Sequence, residues 1–349
     1  PSELDLYDFE LPRELIAQDP PPKRTDARMM VIDRASGQIE HASVKDLPSF
    51  MRAGDAIVVN DSRVIPARLV GYREKTQGRW EGLFLRTDNG VAEFLSKTRG
   101  YLEGGERVVV RDPEGRETQR LKVITHTEDG HVLFTPEPPR DWFELLEEVG
   151  RIPLPPYIRD GQMTEQDRER YQTVYARNPG SVAAPTAGLH LTEELLQRIR
   201  ASGVALVSVT LHVGLGTFRP VSVVKLDDHK MHSETAQINA NVVRRLLSAK
   251  AEGGRILAVG TTSVRTLETS ALHGNGQLIP WLGDTDLFIR PGFKFHAVDR
   301  LLTNFHLPKS TLLVLVSAFA SRELMLEAYR KAVEQKYRFF SYGDCMLIL

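Results

Sequence analysis

Six titratable side chains in the second half of the chain have the types needed for proton transfer. They are His190, His212, Asp228, His229, His232 and Glu234. Histidine and carboxylate groups suit general acid/base catalysis because their surroundings can move their pKa values toward neutral pH. All six lie in or beside loops, which are the parts of a fold where a rigid scaffold most often holds reactive groups. We therefore take them as candidate catalytic residues.

The alternatives differ between the individual histidines. His229 and His232 are three residues apart with acidic neighbours, a pattern that also occurs in metal sites. No obvious third and fourth ligand accompanies them, so acid/base chemistry ranks first, a polar surface turn second and a metal site last. His190 follows a stretch of small residues, 180–188. A structural histidine, with its hydrogen bonds made inside a tight connection of the fold, is as good an interpretation of it as a catalytic one.

A glycine-containing loop has the composition of a nucleotide site. The predicted strand before it runs into Gly214-Leu215-Gly216-Thr217, and glycine lets backbone amides face a ligand. The loop continues into Arg219-Pro220 and an extended run, not into a helix. A Rossmann-type cofactor site is therefore disfavoured, and the loop alone is a weak signal.

A second loop combines hydroxyls with an arginine. Thr262 and Ser263 follow a buried strand, and Arg265 lies in the first turn of the helix predicted after it. Helix capping explains the two hydroxyls. It does not explain Arg265, whose charge is unfavourable near the positive end of a helix dipole. The conflict favours a carboxylate or phosphate site built from this arginine and the helix N-terminus.

Arginines and aromatic residues complete the candidate binding groups. Arg63 and Arg68 bracket a turn made rigid by proline, which suits a phosphate clamp; from composition alone, surface arginines paired with carboxylates are the favoured alternative. Aromatic residues beside polar ones near the chain end could stack a base and bind its edge, although such aromatics more often lie in a core. These candidates are Phe305, His306, Tyr342 and Asp344.

The elements that must position these residues fall into two kinds. Six short runs of β-strand character follow one another without a helical pattern between them, at 68–72, 82–86, 91–96, 107–111, 121–125 and 132–135. Such a series, with a turn sequence in each gap, favours a small barrel or sandwich. The remainder alternates strands with capped helices. We therefore predict an α/β catalytic domain, residues 1–67 and 138–349, interrupted by a barrel-like all-β domain, residues 68–137.

Capping residues place the helices of the α/β part. Thr192, Asn239 and Ser310 each precede a stretch that fits a helix. A further helix is expected to begin near 263, and an amphipathic one spans 324–336. Strands are predicted at 29–33, 38–44, 56–59, 204–213 and 255–259.

Composition narrows the classes of function. The 349 residues include 45 basic and 46 acidic ones, without the strong positive charge of a non-specific nucleic-acid coat protein. An enzyme that visits RNA needs only a local basic patch. One cysteine, Cys345, excludes an internal disulfide framework. The acidic first residues and the short apolar run 311–320 indicate neither a secretory signal nor a membrane span, so a cytoplasmic location is expected.

Taken together, these stretches resemble one family, the S-adenosylmethionine:tRNA ribosyltransferase-isomerases of queuosine biosynthesis. One block alone is weak evidence, whereas the set occurs in family order over nearly the whole chain and is highly specific. The β insert is the least similar part. The similar blocks are 9–12, 60–69, 153–157, 180–190, 210–221, 229–234, 259–268, 291–293, 303–319 and 337–346.

The resemblance implies a transferase with S-adenosylmethionine as a consumed co-substrate. The ribosyl group of S-adenosylmethionine moves onto 7-aminomethyl-7-deazaguanine at the tRNA wobble position and is isomerised, giving epoxyqueuosine with release of adenine and methionine. No true cofactor and no metal are needed, the anticodon region of tRNA is the partner, and a monomer is expected. The larger α/β domain is implied to be interrupted by a β-barrel.

The resemblance also gives the candidate binding residues specific roles. Arg265 is a candidate for the methionine carboxylate, and Asp344 for the hydrogen-bond donors of the deazaguanine edge. Arg63 and Arg68 are candidates for phosphates. Close contact with the nucleoside is expected from Gly214, Gly216 and Thr217.

Two other classes of function compete with this interpretation. A conventional S-adenosylmethionine methyltransferase needs a helix directly after 214–216 and an acidic ribose partner at the end of the next strand, and the sequence shows neither cleanly. A non-catalytic RNA-binding module would use the β insert as its platform. That insert would then be basic and rich in aromatics, whereas it carries abundant Glu and Asp.

Overall fold

The computed structural model describes residues 2–214 and 225–349. The chain divides into two compact units. The first comprises Pro1–Arg63, Pro156–Asp160 and Glu169–Leu349, and the second comprises Val64–Pro155 and Gly161–Arg168. The candidate residues Gly216 and Thr217 lie outside the described residues.

The strands and helices have the following bounds. The strands are β1 Arg28–Ile32, β2 Ile39–Ser43, β3 Ala56–Asn60, β4 Ser62–Val64, β5 Arg68–Arg73, β6 Arg79–Asp88, β7 Val91–Thr98, β8 Arg107–Arg111, β9 Glu117–His126, β10 Val132–Glu137, β11 Asn178–Ser181, β12 Ala205–Leu211, β13 Glu234–Ile238, β14 Ile256–Val259, β15 Trp281–Thr285, β16 Arg300–Asn304 and β17 Cys345–Ile348. The helices are α1 Trp142–Val149, α2 Asp167–Arg170, α3 Glu193–Ala201, α4 Ala240–Ala251, α5 Thr261–His273, α6 Thr311–Phe319 and α7 Arg322–Glu334.

The second unit is built on a closed antiparallel barrel. Its strand order is β10-β7-β6-β5-β8-β9, and each of the six predicted runs forms one of these strands. Alternate residues point inward, so the barrel interior holds a cluster of rings in which Phe94 lies 5.6 Å from Phe134 and 6.2 Å from Trp80. Gly82 leaves room for this cluster, because a Cβ there would lie 2.4 Å from the Trp80 ring. The barrel insert is therefore confirmed.

The first unit is built on a mixed sheet. Within the described residues it has nine strands in the order β15-β13-β12-β3-β14-β16-β17-β1-β2. The four neighbours β12, β3, β14 and β16 run parallel to one another, and β17 runs antiparallel to β16. A strand buried on both faces reads as a continuous apolar run, which is why residues 56–59 of β3 are Ala-Ile-Val-Val.

Helices cover both faces of this sheet. Ala56 and Val58 of β3 join the core cluster that also contains Leu246 of α4 and Leu267 of α5. The intervening Ile57 and Val59 join a second cluster with residues of α3 on the other face. The α/β class is thereby confirmed.

The predicted caps begin the helices as expected. The side chains of Thr192, Asn239 and Ser310 accept from the backbone N–H of the third residue onward, at 3.2, 3.0 and 3.2 Å. The sequence reasoning did not identify α1, β13, β15 or β16. Among the described residues no helix is both long enough and apolar enough to cross a membrane.

Candidate active site

The parallel strands end together at one edge of the sheet, where ligands of open α/β sheets usually bind. We call it the strand-end edge, defined by the last residues of β12, β3, β14 and β16: Leu211, Asn60, Val259 and Asn304. The loops that leave this edge contain His212 and His306, and Thr262 lies in the first turn of α5, which follows β14. The sheet topology therefore brings together residues that lie far apart in sequence.

Asn60 joins three of these strand ends. Its side-chain N–H donates to the carbonyl of Leu211 at 3.0 Å and to Thr262 Oγ1 at 3.1 Å. Its Oδ1 accepts from the backbone N–H of Leu211 at 3.0 Å and of Ser62 at 3.1 Å. The asparagine is fully buried, so all of these bonds are shielded from water and fix the positions of the loops around it.

His212 is the candidate base that the strand-end edge holds in a partly exposed position. Its Nδ1 lies 2.8 Å from Ser62 Oγ, and Gly180 packs against the imidazole ring. A Cβ on Gly180 would come within 3.0 Å of Nδ1, so a side chain there would displace the ring. Burial lowers the pKa of His212, while the nearby Asp61 acts in the opposite direction. The imidazole is therefore neutral near pH 7.

Asp61 anchors the loop beside His212. The hydroxyl of Thr210 donates to Asp61 Oδ1 at 2.7 Å, and the Asn178 side chain donates to the same oxygen at 3.0 Å. The backbone carbonyl of Asp61 accepts from the N–H groups of Arg177 and Asn178. Asp61 is 5% exposed, so its negative charge acts on His212 through a medium of low polarity.

Arg265 and Glu234 form a buried ion pair, and each is 6% exposed. The Arg265 guanidinium also donates to the carbonyls of Leu287 and Thr285, at 3.2 and 3.4 Å. Glu234 Oε1 accepts from the backbone N–H of Gly214 at 2.8 Å. The unusual arginine near the N-terminus of α5 is thus matched by a carboxylate of the protein, which supplies the negative charge that the sequence reasoning assigned to a ligand.

The hydroxyls ahead of Arg265 have separate partners. Ser263 Oγ donates to the carbonyl of Val259 at 2.8 Å and is fully buried. Thr262 Oγ1 accepts from Asn60 and lies at the strand-end edge. Of the two hydroxyls predicted to bind a ligand, Thr262 is therefore the better placed to do so.

Two further histidines of the strand-end edge are buried and neutral. His190 Nε2 lies 3.3 Å from Asn304 Oδ1, and burial lowers its pKa to about 4. His306 Nε2 lies 2.9 Å from Thr303 Oγ1, and burial lowers its pKa to about 3. Neither imidazole carries charge near pH 7, and both are held by hydrogen bonds within the fold.

The candidate residues near the chain end are also buried. Phe305 is fully buried, with its ring 5.4 Å from that of Tyr329. Tyr342 is 2% exposed and packs edge-on against Tyr171 at 5.9 Å. Both oxygens of Asp344 accept backbone N–H groups, from Arg28 and Arg338 at 2.8 Å each, and burial raises the pKa of this carboxyl. Their contacts are those of core residues.

The segment that carries Asp228, His229 and His232 is more open. Asp228 and His232 are exposed, and His229 packs edge-on against Phe288 with ring centroids 5.3 Å apart. Burial is the larger cause of the lowered pKa of His229, and the neighbouring His232 contributes. Among the described residues no group of three or more His, Cys, Asp or Glu is arranged to hold a metal.

The two arginines of the predicted clamp belong to different compact units. Arg63 is exposed on β4. In the second unit, Arg68 Nε lies 2.8 Å from Glu81 Oε1, and its NH1 donates to the carbonyl of Gly161. A protein carboxylate is therefore already the partner of Arg68.

Two hydroxyls that the sequence reasoning did not identify belong to residues that pack against Gly188. Thr173 Oγ1 and Tyr175 Oη are buried, and neither has a hydrogen-bond partner among the described residues. Tyr175 packs against Gly188, where a Cβ would come within 2.0 Å of the phenol oxygen. Burial raises the pKa of Tyr175 strongly, and the charges of Arg24 and Asp61 also act on it. The one signal in the sequence for these two hydroxyls is the alternation of Thr173 and Tyr175, whose hydroxyls are buried, around Val174, which is exposed.

Comparison with known proteins identifies the chain. The family model described as queuosine biosynthesis protein matches residues 4–348. The chain belongs to the queuosine biosynthesis protein family. An S-adenosylmethionine:tRNA ribosyltransferase-isomerase from Symbiobacterium thermophilum is 52% identical over 347 residues, 99% of each chain. The crystal structure of an S-adenosylmethionine tRNA ribosyltransferase from Thermotoga maritima is 36% identical, with a TM-score of 0.56 over 99% of this chain and 100% of that one.

Proposed function

We propose that this chain catalyses the reaction for which its relative is named, as an S-adenosylmethionine:tRNA ribosyltransferase-isomerase. It transfers the ribosyl group of S-adenosylmethionine to 7-aminomethyl-7-deazaguanine at the wobble position of tRNA and isomerises it. The products are epoxyqueuosine in tRNA, adenine and methionine. S-adenosylmethionine is consumed as a co-substrate.

The observation that carries the site assignment is His212 at the strand-end edge. The sulfonium of S-adenosylmethionine acidifies the adjacent 5′ carbon, so the reaction needs a base that is neutral at working pH. When Nδ1 of His212 carries its proton and donates to Ser62 Oγ, Nε2 presents a lone pair that can accept the 5′ proton. Asp61 stabilises the imidazolium that forms. We therefore assign His212 as the general base and Ser62 and Asp61 as positioning residues.

The other candidates take different roles in this proposal. Gly214, two residues after His212, and Thr262, in the first turn of α5, are assigned to close contact with the nucleoside, together with Gly216 and Thr217. His229, His232 and Asp228 remain candidates for protonating the departing adenine. His190, His306, Phe305, Tyr342 and Asp344 are assigned to holding the strand-end edge, because their side chains are buried and already engaged.

Arg265 and Glu234 are assigned a shared structural role. Glu234 neutralises Arg265 and holds the N–H of Gly214, so the pair fixes the start of the loop after β12. The methionine carboxylate then needs another partner. Arg63 and Arg68 remain proposed contacts to tRNA phosphates.

The remaining features follow from the chemistry. A sulfonium is itself a good leaving group, so the proposal includes no resident metal or redox cofactor. The macromolecular partner is the anticodon region of tRNA, which fits a cytoplasmic location. We also propose that the chain acts as a monomer.

Incubation with S-adenosylmethionine and tRNA carrying 7-aminomethyl-7-deazaguanine, followed by nucleoside mass spectrometry, tests the function. The expected result is the epoxycyclopentyl-modified nucleoside, with adenine and methionine released in equal amounts. Unmodified guanine at the wobble position gives the matched control, since it lacks the acceptor amine. A methylated nucleoside would replace the proposal by a methyltransferase, and binding without any new nucleoside would replace it by an RNA-binding function.

A further inference from the structure

A small recess in the first unit is lined by two arginines. Arg24 and Arg170 form part of its wall, together with His190, Tyr342, Pro20 and Pro21. Its cavity volume is about 10 Å³, which is room for roughly one oxygen atom. The recess adjoins the strand-end edge, because His190 bonds Asn304 at the end of β16.

Both arginines are held in place by backbone carbonyls. Arg24 donates from Nη1 to the carbonyl of Leu189 at 3.0 Å, and from Nη2 to those of Glu169 and Gln172 at 3.1 and 2.9 Å. Arg170 donates from Nη2 to the carbonyl of Pro21. These bonds fix the two guanidinium groups at the recess without neutralising their charge.

The charge at the recess is not balanced by the protein. Among the described residues no carboxylate forms an ion pair with either arginine, and the carboxylate that attracts Arg24 most, that of Glu169, is exposed. Burial is the main cause that lowers the pKa of Arg24, and repulsion from Arg170 adds to it. His190 is neutral near pH 7. A partly buried pair of like charges without a counterion is unfavourable.

One donor of this pair is also unused. Arg170 Nε is buried and has no hydrogen-bond partner among the described residues. Buried N–H groups in folded proteins nearly always have a partner, and a guanidinium favours the planar oxygens of a carboxylate or phosphate. The recess is therefore a space the size of one oxygen atom, lined by two positively charged side chains, one of which has an unused N–H donor.

We propose that this recess is an oxyanion-binding site in which Arg170 and Arg24 hold one negatively charged oxygen of a substrate. The proposal rests on the proposed function, which supplies two sources of such an oxygen. One is the carboxylate of the methionine part of S-adenosylmethionine, which lacks a partner once Glu234 neutralises Arg265. The other is a phosphate of tRNA.

Calorimetric titration of the full chain distinguishes these sources. Wild type, Arg170→Gln and the surface control Arg198→Gln are titrated with S-adenosylmethionine and with its decarboxylated analogue. The same proteins are titrated with tRNA over a series of salt concentrations. Arg198 is exposed on α3 and lies outside the recess, so Arg198→Gln is expected to bind all three ligands as wild type does.

Two results would support the site. If the carboxylate is the ligand, Arg170→Gln weakens the binding of S-adenosylmethionine by about 10- to 100-fold. It weakens the binding of the decarboxylated analogue by less than about threefold. If a phosphate is the ligand, Arg170→Gln weakens the binding of tRNA and reduces the slope of log Kd against the logarithm of the salt concentration by about one. Should Arg170→Gln fail to fold, Arg24→Lys and Arg170→Lys, which keep the charge, are expected to affect the same single ligand.

Two results would overturn it. Arg170→Gln could weaken the binding of S-adenosylmethionine and of its decarboxylated analogue equally and leave the salt dependence of tRNA binding unchanged. This result would mean that Arg170 only holds the loop at Pro21. Unchanged binding of all three ligands would mean that the recess takes no oxyanion. Neither result depends on turnover. A wild-type protein that binds both substrates without forming product would contradict the proposed function and leave the oxyanion site intact.

Discussion

The buried ion pair between Arg265 and Glu234 gives the sharpest prediction about the site. Glu234→Gln preserves the volume of the side chain and an oxygen that can accept the N–H of Gly214. It removes the negative charge and leaves Arg265 6% exposed and uncompensated. Breaking a buried pair by removing one partner costs about 3–5 kcal/mol. For a unit of this size, we expect the melting temperature to fall by roughly 6–20 °C.

Urea unfolding and thermal unfolding measure this cost. Trp281 is a local probe, because it lies on β15 opposite Ile238 at the end of β13, the strand that begins with Glu234. The matched control is Glu193→Gln, which loses an exposed pair with Arg200 at 3.4 Å. Exposed pairs contribute about 1 kcal/mol or less, so the control should unfold almost as wild type does.

A double-mutant cycle separates the pair from its surroundings. Arg265→Gln alone should be as destabilising as Glu234→Gln, because it leaves a buried carboxylate without its cation. The double variant should be destabilised by about 1–3 kcal/mol less than the sum of the two single losses, which is the coupling expected of two residues in contact. If Glu234→Gln were as stable as wild type, Arg265 would not depend on this carboxylate. Arg265 would then again be a candidate partner of the methionine carboxylate.

Three further predictions concern the strand-end edge. His190 and His306 have folded-state pKa values of about 4 and about 3, below the unfolded value of about 6.5, so the unfolded chain binds more protons than the folded one below pH 6.5. The free energy of unfolding should therefore fall by about 4 kcal/mol between pH 7 and 5. If His306→Asn showed the same dependence of unfolding free energy on pH as wild type, His306 would not be a source of this loss. Tyr175→Phe removes a buried hydroxyl that lacks a partner and should stabilise the substrate-free protein by about 1–3 kcal/mol in urea unfolding; a loss of stability would reveal a protein partner for it. Ser62→Ala removes the hydrogen bond to Nδ1 of His212 and should lower kcat by roughly fivefold with little change in KM, whereas unchanged kcat would show that Ser62 does not orient the base.

Features that depend on neighbouring residues could be predicted from the sequence. Thr192, Asn239 and Ser310 cap their helices through the N–H three residues onward, so the signal and its partner lie in one short window. The barrel strands were equally accessible, because each is a short run bounded by a turn. The order of the strands in the sheet required the structure.

Features that depend on distant partners could not be predicted. Arg265 is unusual as a cation near the N-terminus of α5, and no pattern in the sequence indicates which carboxylate lies beside it. Its partner is 31 positions away on β13, a strand whose five residues carry too little periodicity to be recognised. His190 and His306 were equivalent to His212 in type and loop position. Burial distinguishes them from His212, and it is set by segments far away in the chain.

The central claim is that His212 removes a proton from the 5′ carbon of S-adenosylmethionine at the strand-end edge. The direct test uses S-adenosylmethionine deuterated at that carbon, with tRNA carrying 7-aminomethyl-7-deazaguanine, and measures deuterium released into water. Wild type should release deuterium as product forms, and His212→Asn should bind S-adenosylmethionine with similar affinity while releasing deuterium at least about 100-fold more slowly. Release by His212→Asn at the wild-type rate would contradict the assignment and place the base elsewhere.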